Sequence, residues 1–286
     1  MHGRAHRPLT QTLANGQRSA YNKERRFGDG ITSPGEGGTA LIEAVYFDLD
    51  DTLYDQLLPF RTAVRQAGFR EEDIRDVRIE ALYTRLRRHS DRLWSLHKNG
   101  ELTLKELRIE RTTAAFADLG VKITAEAAAR LQGHYEREQL RLALRPGVSG
   151  LLEQLRACGV RIGLITNGPV DHQGNKIMAL GLDRWIMDRF IHISDGIGVA
   201  KPDPETFRYA QRLSGLRPEQ LAYVGDAWHN DIVPSFRAGW TPIWLNGRKQ
   251  LPETDDSGVR RFECGDVEQL SALLSKLIAK ETGRPV

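Results

Sequence analysis

Apolar positions along the chain follow two rhythms. Short, nearly continuous apolar runs occur at Ala44-Val45-Tyr46-Phe47, from Val160 to Ile165, at Phe190-Ile191-His192-Ile193, from Leu221 to Val224 and from Pro242 to Leu245. Runs this short, without polar alternation, predict strands covered on both faces. From Pro146-Gly147 onward they alternate with helical patterns. Leu151, Leu152 and Leu155 line one helix that ends near Gly159, further helices are expected after Asp203-Pro204 and after Asp226, and Leu270, Leu273, Leu274, Leu277 and Ile278 line the last. Alternating strands and helices predict an α/β fold around a parallel sheet.

Residues 57 to 145 read differently, as helix after helix. Leu82, Leu86, Leu93 and Leu96 recur at helical spacing, with Arg and Glu on the other face. Asn99-Gly100 ends that helix, Thr103-Leu104-Lys105-Glu106 is a capping-box pattern opening the next, and Thr124 is placed to cap another. The expected organisation is an α/β core made of residues 41–56 and 146–286, with an all-helical module of residues 57–145 inserted after the first strand.

Composition narrows the classes. The chain has 286 residues, 40% hydrophobic and 28% charged, which is ordinary globular material, and no apolar stretch approaches a membrane span. Cys158 and Cys264 are the only cysteines, too few for a disulfide framework, so a reducing cytoplasm is expected. The net charge of +3 lies entirely in residues 1–40, where six basic residues face three acidic ones. That segment is Gly-rich, lacks periodicity and has no continuous apolar core of a signal peptide, which predicts a disordered basic tail. The remainder is balanced, so charge gives no case for a nucleic-acid or membrane partner; oligomeric state is not readable from the sequence.

Each of four predicted strands ends in a polar group. Asp48-Leu49-Asp50-Asp51-Thr52 follows the first. Asp48 and Asp50, two residues apart where the chain leaves a sheet, can converge on one small volume, and a hard cation such as magnesium relieves such crowding. The same run also reads as a turn or helix-start cluster. Ile165-Thr166-Asn167-Gly168 offers a hydroxyl and closely approaching amides, a cradle for phosphate oxygens or an ordinary turn. Lys201 lies on the loop from Gly198 to Pro204, as a site cation or a solvated one. Gly225-Asp226 through Asp231 adds two carboxylates, with Asp226 alternatively a helix cap.

In this order and spacing the four signals resemble the motifs of the haloacid dehalogenase superfamily, over about Ala44 to Leu245. The resemblance implies a doubly wound, Rossmann-like core with the helical insertion as a C1 cap, while residues 169–190 leave little room for a second cap. It implies a magnesium-dependent phosphomonoester hydrolase acting on a small phosphorylated metabolite through an aspartyl-phosphate. Asp48 is then the nucleophile, and Asp50 the acid/base, a role a raised pKa would serve. Asp48, Asp226 and the Asp50 carbonyl hold Mg2+, with Asp231 orienting that set or its waters. Thr166 and amides near Asn167 hold phosphoryl oxygens, and Lys201 offsets negative charge.

Three other readings share these features. A carbon–halogen hydrolase needs the nucleophile but not a magnesium-supported acid/base, so Asp50 and Asp226 favour phosphate. A sugar phosphomutase would be expected to carry Gly-Val where Asp51-Thr52 stand. A noncatalytic phosphate-binding regulatory module would be expected to have lost a core residue, and none is lost. His172, Gln173 and Lys176, after an Asn-Gly-Pro that resembles nucleotidase-like and sialic acid phosphate phosphatase-like members, either line the pocket or begin a helix, and the helix is the preferred reading. Trp228 and His229 are candidates for the site entrance, and Trp94, Trp185, Trp240 and Trp244 are expected to pack. Residues 56–145 hold 18 Lys and Arg against 13 Asp and Glu, a balance of +5 that suits an anionic substrate but is read mainly as solvated helix surface.

Overall fold

A computed structural model describes residues 41–69, 77–252 and 258–278; the predicted basic tail lies outside them. Strands β1 (Ala44–Phe47), β2 (Arg161–Thr166), β3 (Ile191–Ile193), β4 (Leu221–Gly225), β5 (Thr241–Leu245) and β6 (Phe262–Cys264) form one sheet in the order β3-β2-β1-β4-β5-β6. Every pairing is parallel. β1 through β5 are almost wholly buried, as the unbroken apolar runs predict. Among the described residues no helix is long and apolar enough to cross a membrane.

Register decides where the chemistry can gather. Phe47 at the end of β1 lies opposite Leu164 of β2 and Val224 of β4. The residues that follow, Asp48, Thr166 and Asp226, therefore leave the sheet at the same carboxyl edge, where α/β sheets hold ligands. Order reverses at β1, with β2 on one side and β4 on the other. Gly163 of β2 is sterically required: a Cβ there would stand 2.1 Å from the Tyr46 ring.

The chain divides into two compact units, one of residues Asp55–Leu142 and one containing the sheet. In the first, helices α1 (Leu57–Gln66), α2 (Ile79–Lys98), α3 (Leu104–Ala117) and α4 (Ala125–Glu138) pack around Phe60, Tyr83, Leu86, Phe116, Leu131 and Tyr135. Thr103 and Glu106 form the expected reciprocal capping box, and Thr124 caps α4 through the Ala127 N–H. In the second unit the sheet is accompanied by α5 (Val148–Ala157), α6 (Val170–Ala179), α7 (Ser194–Ile197), α8 (Glu205–Ser214), α9 (Val233–Arg237) and α10 (Val267–Ile278).

Two local expectations change. β6 carries no extended apolar run; its three residues pair with β5, although two of them are exposed. After Asp226 the chain first makes a wide, π-type turn, Trp228–Ile232, before α9 begins with Pro234 in its first turn. That turn carries Trp228 inward, where it is buried against Trp244 and beneath the Arg261 guanidinium. Trp228 is thus a packing residue, not an entrance residue, whereas His229 is exposed.

Candidate active site

The Asp48 N–H donates to the Val224 carbonyl at 2.8 Å, pinning the first residue beyond β1 to the neighbouring strand. Its carboxylate is buried and accepts from Lys201 Nζ at 2.6 Å, with the Thr52 hydroxyl at 3.3 Å from the other oxygen. Lys201 Nζ also donates to Asp231 at 2.6 Å and to the Tyr223 hydroxyl at 2.9 Å, so its three protons have three acceptors. Tyr223 in turn donates to the Ile165 carbonyl at 3.0 Å. The lysine loop is fixed from β2: Asn167 Nδ2 donates to the Lys201 carbonyl at 2.7 Å, and its Oδ1 accepts from the Lys201 N–H at 3.0 Å.

The wide turn after β4 returns Asp231 toward Asp226, and Asp231 Oδ2 accepts the Ala227 N–H at 3.0 Å. Asp48, Asp226 and Asp231 each offer a carboxylate oxygen, all within 4.8 Å of one another. Burial, opposed by Lys201 and reinforced by Asp231, Asp226 and Asp50, pushes the Asp48 carboxyl up to about 8. One ammonium therefore does not balance this cluster. An all-oxygen donor set with surplus negative charge fits a hard divalent cation such as Mg2+.

Asp50 has a separate environment. Burial alone would raise its pKa, but Lys176 at 2.7 Å, together with hydrogen bonds from the Tyr54 hydroxyl and Gln173, outweighs it and holds the carboxyl well below the usual range. An acid/base carboxyl is served by a raised value; here the shift runs the other way because a buried ammonium stands against the carboxylate. Gln173 Nε2, 3.0 Å from Asp50, also donates to the Thr166 hydroxyl at 2.5 Å.

Asp51 stands in the left-handed region, at φ 62°. Its carboxylate accepts from Arg248 at 2.7 Å and lies 3.9 Å from Arg145, which also donates to the Asp51 carbonyl at 2.8 Å.

The structure thus brings Asp48, Lys201, Asp226 and Asp231 together and joins Asp50 to Thr166 through Gln173. The Asn167 side chain serves the Lys201 loop. Gln173 and Lys176 do lie on a helix, α6, yet their side chains reach Asp50; two polar residues three apart on a helix face turned toward a sheet were the available signal. Tyr223 gave none, since a tyrosine inside an apolar strand is ordinary.

Comparison with known proteins shows the family and the fold. The family of haloacid dehalogenase-like hydrolases matches residues 42–239. A glyceraldehyde 3-phosphate phosphatase of Methanopyrus kandleri is 30% identical, covering 83% of this chain and 99% of that protein. A phosphoserine phosphatase of Thermus thermophilus is 26% identical, covering 80% and 98%. Among solved structures, a dehalogenase with an intermediate complex superposes with a TM-score of 0.66 at 20% identity, over 83% of this chain and 99% of that one, a likeness of fold.

Proposed function

The chain belongs to the haloacid dehalogenase-like hydrolase family, and within it we propose a magnesium-dependent phosphatase that hydrolyses a small phosphate monoester through an aspartyl-phosphate. The observation that carries this reading is the carboxylate triangle of Asp48, Asp226 and Asp231, with the buried Lys201 bonded to two of its corners. A carbon–halogen hydrolase has no use for that surplus of negative charge, whereas a phosphatase handles a cation and a phosphoryl group together. The phosphatase names of the relatives from M. kandleri and T. thermophilus support the same choice.

Asp48 attacks phosphorus; its new O–P bond replaces the ester P–O bond, and the leaving oxygen takes a proton from Asp50. Water then attacks the aspartyl-phosphate, Asp50 accepts its proton, and the bond between phosphorus and Asp48 breaks to release phosphate. With Lys176 against it, Asp50 is disposed as the base of the second step. For the first it must take up a proton, which Oδ2 can carry while Lys176 keeps its hold on Oδ1. Thr166 and the amides after β2 hold phosphoryl oxygens, and Lys201 keeps the Asp48 carboxylate aimed.

Asp48, Asp226 and the Asp50 carbonyl would hold magnesium, with Asp231 as orienting partner. When bound there it supplies positive charge to the phosphoryl group being transferred. Phosphate release from p-nitrophenyl phosphate, with and without magnesium, tests the reading. Wild type should turn over only with the metal, Asp48→Asn should not turn over, and acid-quenched wild type should carry phosphate on the Asp48 peptide. Unchanged turnover in Asp48→Asn would sink it.

A further inference from the structure

Gln173 and Lys176 sit three residues apart on one face of α6 and are only 1% and 4% exposed. Polar side chains so enclosed lose their hydration and keep their place only through well-made contacts. Theirs converge on one carboxylate. Lys176 Nζ donates to Asp50 Oδ1 at 2.7 Å and Gln173 Nε2 to Asp50 Oδ2 at 3.0 Å, so each oxygen has its own donor from the same helix. Gln173 also reaches the Thr166 hydroxyl at 2.5 Å, which places Thr166 and Asp50 on either side of one amide nitrogen. The space for that amide comes from Gly168, at φ 135°, where a Cβ would press on Gln173 Cγ at 3.3 Å.

We propose that Gln173 and Lys176 are positioning residues that fix the Asp50 carboxyl in register with the Thr166 hydroxyl, so that Asp50 meets the bridging oxygen of the ester while Thr166 holds the phosphoryl group. The inference rests on the phosphatase reading above. When the P–O bond breaks, an alkoxide needs the proton that Asp50 delivers, whereas p-nitrophenolate departs without one. Loss of aim at Asp50 therefore falls selectively on alkyl esters. A residue that only supports the fold would affect both esters alike.

The test measures kcat and KM of the full chain with magnesium on β-glycerophosphate and on p-nitrophenyl phosphate. In Lys176→Met and Gln173→Leu the fall in kcat on the alkyl ester should exceed that on the aryl ester by about tenfold or more, a part of what a placed acid supplies. KM should stay within about twofold, as expected when ground-state binding is spared. Lys176→Arg should restore part of the alkyl turnover. Equal falls on both esters, or a melting-temperature loss without selectivity, would overturn the proposal. Should Lys176→Met not fold, Lys176→Arg and Tyr54→Phe carry the same comparison with smaller changes of shape. Asp48→Asn separates the two claims: activity there defeats the phosphatase reading, whereas its inactivity alongside unselective Lys176 and Gln173 variants defeats only the positioning role.

Discussion

Gly225 and Asp231 share a space with no room for a further side chain: a Cβ on the glycine would stand 2.5 Å from the Asp231 Cβ, Cγ and Oδ2. The last residue of β4 is thus a glycine because the turn beyond it folds a buried carboxylate back against the strand. In Gly225→Ala, Asp231 must move, which takes an acceptor from Lys201 and a corner from the carboxylate triangle. We expect a stability loss of about 1–3 kcal/mol, typical of overpacking, and weaker magnesium binding by titration calorimetry. Unchanged magnesium affinity would show that Asp231 does not support the metal.

Lys201 is, among the described residues, the cation bonded to both Asp48 and Asp231. Lys201→Met should lower kcat by about a hundredfold or more, the scale of removing one electrostatic stabiliser. It also leaves buried carboxylates uncompensated, a change that typically costs about 3–5 kcal/mol. The loss should shrink as magnesium is added, because a ligand of the native state stabilises by mass action. Thermal melts of both proteins across a magnesium series check this, and parallel curves would contradict it.

Asp48, Thr166 and Asp226 each end an apolar run, and parallel register carries strand ends to one edge, so their gathering was legible without coordinates. Lys201 and Asp231 were ambiguous by themselves and took their places only from the resemblance of the four strand-end motifs to the family's. What remained hidden were contacts made by side chains returning from another element. Tyr54 reaches Asp50 across a tight reversal four residues later, Gln173 and Lys176 arrive from α6, and Tyr223 reads as plain core. The direction of the Asp50 shift depended on the contacts from Lys176, Tyr54 and Gln173, so it could not be read from Asp50 itself. β6 was hidden for another reason: three residues, two of them exposed, leave no hydrophobic period to detect.

His192 on β3 predicts how the fold responds to acid. It is buried between the Tyr46 and Tyr209 rings, neither ring nitrogen has a hydrogen-bond partner among the described residues, and burial pushes its pKa down to about 3. Its unfolded value is about 6.5. Between those values the unfolded chain binds a proton that the native one refuses, so stability falls as pH is lowered through that window, by about 1.4 kcal/mol per unit. The carboxylates titrate too, so the useful quantity is a difference. Denaturant unfolding of wild type and His192→Leu should give a stability difference that moves in favour of the variant from pH 6.5 downward. A pH-independent difference would refute the assignment.

Asp51 tests whether the loop carrying both carboxylates depends on its anchor. The residue holds φ at 62° and fastens the loop through Arg248 and Arg145, while Asp48 and Asp50 flank it with their functional contacts. Asparagine tolerates the left-handed region and still accepts from arginine, so Asp51→Asn should retain most activity. Valine is β-branched and accepts nothing, so Asp51→Val combines backbone strain of about 1–3 kcal/mol with a released loop. If Asp51 acts only as an anchor, Asp51→Val should lose kcat and stability together, and Asp51→Asn neither, in melts and phosphate-release assays run side by side. A stable Asp51→Asn protein with collapsed turnover would instead place Asp51 in the chemistry, since its geometry would be intact and only its charge gone.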